Sequence, residues 1–176
     1  MMEYRELKYQ EINRKLFFCF IRRQEVTHCW RKMGGKWEIQ EIPFIDDWSE
    51  EDYILLVEDL RQTIQNGGIV FGAFENQALK GFASVEGHLF GAGLAYLDLS
   101  HIYVSAEWRG RGIGQRLFDL SAAWARGQGA RKLYISAHSA VESQAFYRAM
   151  GCVEAVEYNQ AHVEKEPCDC QLECCL

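Results

Sequence analysis

The most constraining feature of the sequence is a glycine-rich stretch that directly follows a long apolar segment. The apolar segment, 94–104, has the composition of a buried strand, and the residues after the glycines have helical periodicity. A helix start leaves backbone N–H groups without partners and its dipole favours negative charge, so such a turn suits a phosphate. Glycines let the backbone approach an anion closely, and arginines add charge-assisted hydrogen bonds. The stretch predicts a pyrophosphate-binding turn formed by Arg109, Gly110, Arg111, Gly112 and Gly114.

Three phosphate-binding turns share this general design, and their spacing separates them. A P-loop requires Lys followed by Ser or Thr after its last glycine, whereas Gln115 and Arg116 follow here. A dinucleotide-binding fingerprint counted from Gly110 would need Gly or Ala where Gln115 stands. The pattern R-x-x-G-x-G fits from Arg109 to Gly114. A glycine-rich loop that binds no ligand would also account for the stretch.

The segments around this turn alternate between helix and strand patterns. Ser49 precedes acidic residues and an apolar helical face, which predicts a capped helix, and Gly34-Gly35 separates the two strands of a hairpin. The order of elements predicts an α/β or α+β fold with a central sheet. The predicted elements are a loose helix over 6–23, a hairpin over 26–42, the helix after Ser49, strands over 69–74, 78–85 and 94–104, a helix over 112–126, a strand over 132–137, a helix over 143–150, and strands over 152–158 and 170–175.

Length and composition set the class of protein. A chain of 176 residues with 48% hydrophobic and 25% charged residues has the size and balance of one globular domain. The net charge of −6 disfavours binding to nucleic acid, which is a polyanion. No stretch approaches the roughly 20 apolar residues of a membrane span, and the apolar run 16–21 is too short for a signal peptide. We therefore expect a cytoplasmic protein whose seven cysteines are mainly reduced thiols.

A second block of sequence supports the interpretation of the glycine-rich turn. The residues from Ser143 to Cys152 read S-Q-A-F-Y-R-A-M-G-C. Together the two blocks resemble the acetyl-coenzyme A signature and the A-x-x-F-Y-x-x-x-G-F helix of the GNAT acetyltransferase superfamily, with Cys152 where an aromatic residue is commoner. The resemblance covers about 69–158. It implies a mixed, mostly antiparallel central sheet of about six or seven strands flanked by helices, with acetyl-coenzyme A as cosubstrate and no metal.

The resemblance also assigns roles to parts of a single domain, 1–176. Residues 1–68 would shape the acceptor site, 69–158 would form the acetyl-coenzyme A-binding core, and 159–176 would supply the final strand. In the family, the long strand splays from its neighbour and its backbone binds the pantetheine arm, while the turn binds the pyrophosphate. The residues that this implies for the cofactor are Ile102, Tyr103, Val104, Arg109, Gly110, Arg111, Gly112, Ile113, Gly114, Gln115, Ser143 and Tyr147.

Three residues are candidates for proton transfer at the thioester. Tyr147 matches the family's frequent general acid, which protonates the departing thiolate, although its position also suits an aromatic core residue. The acceptor amine has a pKa near 10.4 and must lose a proton, for which Asp98 is the first candidate base. Strand alternation places Asp98 on the face of Ile102 and Val104. His101, with an ordinary pKa near 6.5, is the second candidate, but alternation turns it to the opposite face unless a bulge shifts the register.

The acceptor side carries weaker signals. Trp30 and Trp37 in the hairpin and Trp48 after it could form an aromatic cage for a cationic or apolar amine, or could pack beneath the hairpin. Glu166 and Asp169 could line the acceptor site from the loop before the last strand. The cysteines of the C-terminal tail lack the spacing of a zinc site, so we expect ordinary buried thiols there.

These observations predict an N-acetyltransferase that moves an acetyl group from acetyl-coenzyme A to a primary amine by direct attack in a ternary complex. Cys152 is a weaker candidate for a covalent nucleophile, because no histidine lies near it in the sequence. A coenzyme A-binding sensor without turnover, or an acyltransferase that uses a longer acyl chain, would carry the same two blocks. The acceptor would be a small-molecule amine or the amine of a peptide or protein, and homodimers are common in the family.

Overall fold

The computed structural model describes all 176 residues and consists of nine strands and four α-helices, with short 3₁₀ turns between them. None of the helices is both long and apolar enough to cross a membrane. The strands are β1 (Glu3–Glu6), β2 (Gln24–Met33), β3 (Lys36–Asp46), β4 (Ile69–Glu75), β5 (Ala78–Val85), β6 (Tyr96–Val104), β7 (Lys132–Ala137), β8 (Val153–Glu154) and β9 (Cys170–Cys175). The helices are α1 (Glu50–Gln65), α2 (Ile113–Gly127), α3 (Val141–Ala149) and α4 (Gln160–Lys165).

Seven of the strands form one sheet, in the order β1-β4-β5-β6-β7-β9-β8, and β2 and β3 form a separate hairpin. Neighbours in the large sheet are antiparallel except β6 and β7, which run parallel. The mixed, mostly antiparallel sheet that the family resemblance implies is confirmed. The strand predicted over 152–158 is reduced to the two residues of β8, and the short helix α4 that follows has no counterpart among the predicted elements.

The N-terminal segment differs from the helix predicted over 6–23. Its first residues form β1 at the edge of the sheet, and two 3₁₀ turns follow at Tyr9–Glu11 and Arg14–Phe17. The apolar residues that suggested a helix are individually buried in the core between the sheet and α1, so tertiary packing and not a helical face explains their spacing. These buried residues are Leu7, Ile12, Phe17 and Phe20.

The two long helices cover opposite faces of the sheet. α1 begins as predicted, because the Ser49 side chain accepts from the Asp52 N–H and the Asp52 carboxylate accepts from the Ser49 N–H. α2 packs against β5 at Gly81, where a Cβ atom would lie 2.9 Å from the Ile113 side chain and 3.0 Å from that of Leu117. This close approach brings the start of α2 to the end of β6, where the glycine-rich turn lies.

Candidate active site

β6 and β7 are paired over only part of their length. The last paired residues are Asp98 and Tyr134, although β6 continues to Val104 and β7 to Ala137. Beyond this point the two strands separate. The gap matches the splay that the family resemblance predicts for the long strand.

Backbone groups of β6 point into this gap. The Ser105 N–H donates to the Lys80 carbonyl of β5 at 2.8 Å, on the opposite side of β6. Because N–H directions alternate along an antiparallel strand, the amides of Ile102 and Val104 point towards the gap. They are available there to a ligand that carries amides of its own.

The turn before α2 presents a row of free donors. No backbone N–H from Gly110 to Gln115 has an acceptor within the chain, and the first helical bond runs from the Arg116 N–H to the Gly112 carbonyl at 3.0 Å. Gly110 and Gly112 have φ of 73° and 77°, in the left-handed region where a side chain is strained. Free amides at a helix N-terminus form a site for a phosphate anion.

Gly114 has a different reason to be glycine. A Cβ atom at this position would lie 3.1 Å from the Phe146 ring of α3, closer than ordinary van der Waals contact. The absent side chain therefore lets α2 and α3 meet beside the gap. The two sequence blocks of the family resemblance are brought together by this contact.

The structure separates the roles of the two arginines in the turn. The Arg109 guanidinium donates to the Val104 carbonyl at 3.2 Å and to the carbonyls of Arg22 and Arg23 at 3.0 Å each. It ties the loop before β2 to the end of β6, so its charge is not directed to the row of free amides. Arg111 is exposed and makes no hydrogen bond within the chain. The expectation that both guanidinium groups are free to pair with a phosphate therefore holds for Arg111 alone.

A β-bulge at Ser100 changes the alternation of side chains along β6. Ser84 pairs with His101, whereas the next residue of β5, Val85, pairs with Leu99. Ser100 is therefore an extra residue on β6 without its own partner. Beyond it, every side chain of β6 lies on the face opposite to the one that simple alternation predicts.

The bulge corrects the predicted placement of the candidate bases. Ile102 and Val104 pack into the core beneath α2, and Tyr103 packs into the core beneath α1. Asp98 and His101 lie on the face of Tyr103, so alternation was wrong in grouping Asp98 with Ile102 and Val104. The two candidate bases share one face because a bulge shifts the register between them. Strand alternation required such a bulge if His101 was to serve as a base.

A cleft of about 1270 Å³ extends along the gap between β6 and β7. All three candidates for proton transfer line it. Most of the cofactor residues implied by the resemblance also line it, and Arg111 is the exception. Those that line it are Ile102, Tyr103, Val104, Arg109, Gly110, Gly112, Ile113, Gly114, Gln115, Ser143 and Tyr147.

Tyr147 lies on α3 within the lining of this cleft. Its ring meets that of Phe146 edge to face, with centroids 5.2 Å apart, and its hydroxyl makes no hydrogen bond within the chain. Burial raises the pKa of the Tyr147 hydroxyl far above its ordinary value of 10.0. The hydroxyl is therefore a protonated donor that faces the cleft.

Asp98 is paired with a histidine that no sequence pattern singled out for the site. His162 Nε2 lies 2.5 Å from Asp98 Oδ2, and the imidazole stacks on the Tyr134 ring with centroids 5.7 Å apart. The hydrogen bond to Asp98 raises the pKa of His162 above its ordinary value of 6.5. Asp98 Oδ1 is buried without a partner. Only the fold reveals this pair, because His162 lies in the unpredicted helix α4.

His101 has a polar environment that differs from that of Asp98. Its Nδ1 lies 2.9 Å from Ser84 Oγ on the neighbouring strand. Burial lowers the pKa of the imidazole below its ordinary value of 6.5, so the ring is uncharged at neutral pH. The same wall of the cleft thus holds a free imidazole and a carboxyl group that is paired with a second histidine.

Of the three tryptophans proposed for the acceptor, Trp48 alone lines the cleft, where its ring meets that of Tyr103 at 4.8 Å. Trp30 and Trp37 lie outside the lining. The part of the hairpin that carries them lies beside the cleft, because the Trp30 N–H donates to the Ser139 carbonyl and Trp37 Nε1 reaches Glu154 of β8 at 3.2 Å. These two rings therefore pack against the body of the protein and do not form a cage for the acceptor.

The cysteines are mostly buried, as expected for ordinary thiols. Cys170 and Cys174 are buried in β9, and Cys168 before it is exposed. Burial raises the pKa of Cys170 to about 12 and that of Cys152 still further. A protonated thiol is a poor nucleophile, and Cys152 does not line the cleft, so nothing here favours a covalent acetyl-cysteine.

Comparison with known proteins agrees with the geometry. The sequence model of the acetyltransferase (GNAT) family matches residues 35–152. A search of curated proteins finds no significant match.

Solved structures share the fold over nearly the whole chain. Nourseothricin acetyltransferase is 18% identical, with a TM-score of 0.68, over 98% of this chain and 95% of that one. A Bacillus anthracis protein assigned as a streptothricin acetyltransferase, in complex with acetyl-coenzyme A, is 15% identical with a TM-score of 0.71 over 98% and 96%. PaiA N-acetyltransferase from Thermoplasma acidophilum, in complex with coenzyme A, is 16% identical with a TM-score of 0.62 over 100% and 99%. The family model covers more than half of the residues of this chain, and the chain therefore belongs to the acetyltransferase (GNAT) family.

Proposed function

We propose that this protein transfers the acetyl group of acetyl-coenzyme A to a primary amine by direct attack within a ternary complex. The observation that carries the proposal is that the free amides from Gly110 to Gln115 and the splayed edge of β6 open onto one cleft. The first suits a pyrophosphate and the second suits the amides of a pantetheine arm.

The residues present fit acetyl-coenzyme A. Gly110 and Gly112 have open space where a Cβ would lie, which leaves room for the anion beside the amides. Arg111 is free to add charge at this end. The amides of Ile102 and Val104 would form hydrogen bonds with the pantetheine arm as it extends towards Asp98. A free amide near Val104 would stabilise the oxyanion that forms at the thioester carbonyl. Ser143 and Tyr147 would face the arm from α3.

The bound thioester supplies an activated acetyl group, and the chain supplies positioning and proton transfer. The acceptor nitrogen forms a bond to the acetyl carbon as the carbon–sulfur bond breaks and its electron pair goes to sulfur. The nitrogen enters as an ammonium and ends as an amide, so it loses two protons. One proton passes to solvent. The other restores the Tyr147 hydroxyl after Tyr147 has given its own proton to the sulfur. Asp98 and His101 are the groups on the cleft that can accept a proton from the amine.

Charge on the cleft favours a cationic acceptor. Acidic side chains from α1, from β6, from the residue after β5 and from the loop before β9 line the part of the cleft around the candidate bases, and Lys165 and Arg22 are the nearby cations. Two solved structures that share the fold are named for the antibiotics nourseothricin and streptothricin. Amines of this type should therefore be tested as acceptors. The acidic residues are Asp59, Glu86, Asp98, Glu166 and Asp169.

The test is a titration with acetyl-coenzyme A by calorimetry, followed by a panel of amines assayed for release of free thiol. The panel comprises polyamines, aminoglycoside and streptothricin-type antibiotics, amino acids and short peptides. We expect saturable binding and thiol release with at least one cationic amine. Binding without release for the whole panel would favour a coenzyme A sensor, and no binding at millimolar ligand would overturn the proposal.

A further inference from the structure

Four polar side chains form a continuous series of hydrogen bonds at the wall of the cleft. His101 Nδ1 lies 2.9 Å from Ser84 Oγ, which lies 2.8 Å from Ser100 Oγ, which lies 2.7 Å from Glu86 Oε1. The bulge creates this hydrogen-bond series, because it directs both Ser100 and His101 towards Ser84. Simple alternation would have separated them.

The number of available protons gives the hydrogen-bond series one direction. Glu86 Oε1 accepts from Thr63 Oγ1 and from Ser100 Oγ, each at 2.7 Å, so Ser100 donates its single hydroxyl proton to this carboxylate. Ser84 must then donate its own proton to Ser100, since two hydroxyl oxygens 2.8 Å apart need a proton between them. Ser84 has no second proton, so the bond to His101 uses a proton on Nδ1. The three bonds consume three protons, one from each donor.

This direction leaves the other ring nitrogen of His101 as the basic one. Nε2 has no partner within the protein, and His101 lines the cleft. We propose that Glu86, acting through Ser100 and Ser84, holds His101 in its Nδ1–H tautomer so that Nε2 accepts the proton of the acceptor amine. This inference rests on the proposed function and names the base for it. Glu86, Ser84 and Ser100 are positioning residues, because they act through His101.

Asp98 has a different role from His101 in this arrangement. One oxygen of Asp98 is engaged by His162, and the other is buried without a partner. A buried carboxylate oxygen of this kind suits a hydrogen bond from the bound ammonium, so Asp98 would hold the amine that His101 deprotonates. The lowered pKa of His101 agrees with this, because the ring is a free base at neutral pH.

The proton step is balanced within the cleft. Nε2 takes one proton from the amine, Nδ1 keeps its own, and the resulting imidazolium later releases the Nε2 proton to solvent. The Glu86 carboxylate stabilises the imidazolium through the two serines. The charged groups that face His101 are Asp59 from α1, Asp98 from β6, Lys165 from α4 and, through the hydrogen-bond series, Glu86.

The tautomer can be measured directly by the nitrogen-15 chemical shifts of the His101 ring in the whole protein without any substrate. We expect protonated Nδ1 and unprotonated Nε2 in the wild type at neutral pH, and loss of this preference in Ser84→Ala. Ser121→Ala is the matched control, because Ser121 is equally buried but bonds to the Leu117 carbonyl of its own helix. A wild-type ring protonated at Nε2, or a Ser84→Ala ring that keeps the wild-type pattern, overturns the proposal.

The second readout is the rate with the most active amine of the panel. We expect Ser84→Ala to lower kcat at least tenfold with unchanged affinity for acetyl-coenzyme A, and Ser121→Ala to leave both unchanged. In the pH profile of kcat/KM, the acidic limb should disappear in His101→Gln and remain in Asp98→Asn. If it remains in His101→Gln, Asp98 is the base. Absence of thiol release with every amine, with the expected tautomer present, contradicts the proposed function and not the hydrogen-bond series.

Discussion

His162 Nε2 lies 2.5 Å from Asp98 Oδ2, and this contact joins α4 to β6 at the residue where β6 and β7 separate. A side chain from the C-terminal part of the chain thus closes the end of the gap. The imidazole is held from its other side by stacking on Tyr134. The position of the Asp98 carboxylate, a candidate for binding the acceptor, therefore depends on whether His162 is protonated.

Replacing His162 with Gln should make the stability difference from wild type depend on pH. Asp98 raises the pKa of His162 in the folded state, so the imidazolium stabilises the fold fully below its unfolded pKa of about 6.5 and progressively less as pH rises through the folded value. We expect His162→Gln to lower the free energy of unfolding by about 1 kcal/mol near pH 6, with a smaller difference near pH 9. Urea unfolding at the two pH values measures this.

Gln keeps a neutral donor for Asp98, so the comparison isolates the charge of the imidazolium. His88→Gln is the control, because His88 is exposed and makes no hydrogen bond within the chain. A stability difference for His162→Gln that is the same at both pH values, or that grows at high pH, would contradict the assignment of the ion pair.

Gly112→Asp should abolish most of the affinity for acetyl-coenzyme A. The substitution places a carboxylate beside the free amides of the turn and adds strain at a residue with φ of 77°. We expect at least a hundredfold weaker binding by calorimetry, equivalent to about 2.7 kcal/mol. Gly112→Asn, which has the same shape and tolerates this backbone conformation, should lose much less.

Gly127→Asp provides a second control at the opposite end of α2, where a Cβ also has open space. It adds the same charge far from the turn and should bind as the wild type does. Wild-type affinity in a folded Gly112→Asp protein would remove the turn from the binding site.

Arg109 and Arg111 should have separable effects. Arg109→Gln loses the bonds that tie the carbonyls of Arg22 and Arg23 to the turn, so we expect a loss of stability of about 1 kcal/mol. Arg111→Gln removes an exposed guanidinium that lies over the Trp108 ring at 4.5 Å, and should leave stability nearly unchanged. Its affinity for acetyl-coenzyme A should fall about fivefold, the effect of roughly 1 kcal/mol of screened charge interaction.

Melting temperature and calorimetry on the same pair of variants check this division. The interpretation of the two arginines is wrong if Arg111→Gln is the destabilised variant and Arg109→Gln the stable one.

Tyr147→Phe should lower the rate without weakening donor binding. The raised pKa keeps the hydroxyl protonated across the working pH range, and removing it deprives the leaving thiolate of its donor. We expect kcat to fall about a hundredfold, in the range typical of a positioned acid, with the dissociation constant of acetyl-coenzyme A unchanged. Thiol release under saturating substrates measures the effect.

The control for this prediction is Tyr158→Phe, since Tyr158 donates to Glu154 away from the cleft. This variant should keep the wild-type rate. Equal rates for Tyr147→Phe and the wild type would assign Tyr147 to core packing alone.

Much of the fold could be predicted from the sequence because its signals are local. The capping pattern at Ser49 specifies where α1 begins, and the glycines from Gly110 to Gly114 mark the junction of β6 and α2. The strands predicted over 132–137 and 170–175 have the same bounds in the structure. The helix predicted over 6–23 was wrong because its apolar residues are buried one at a time beneath α1, without a common helical face.

The amino-acid sequence determined most of the helices and strands, the glycine-rich turn and the family, since backbone conformation at glycines and helix starts depends on residues close in the chain. The tertiary structure alone decided which side chains meet in the cleft. The bulge at Ser100 depends on pairing with β5, the Asp98–His162 contact joins residues 64 positions apart, and Arg109 is engaged by carbonyls 86 and 87 positions away. Such contacts depend on how strands pair and how loops pack, which no local pattern encodes.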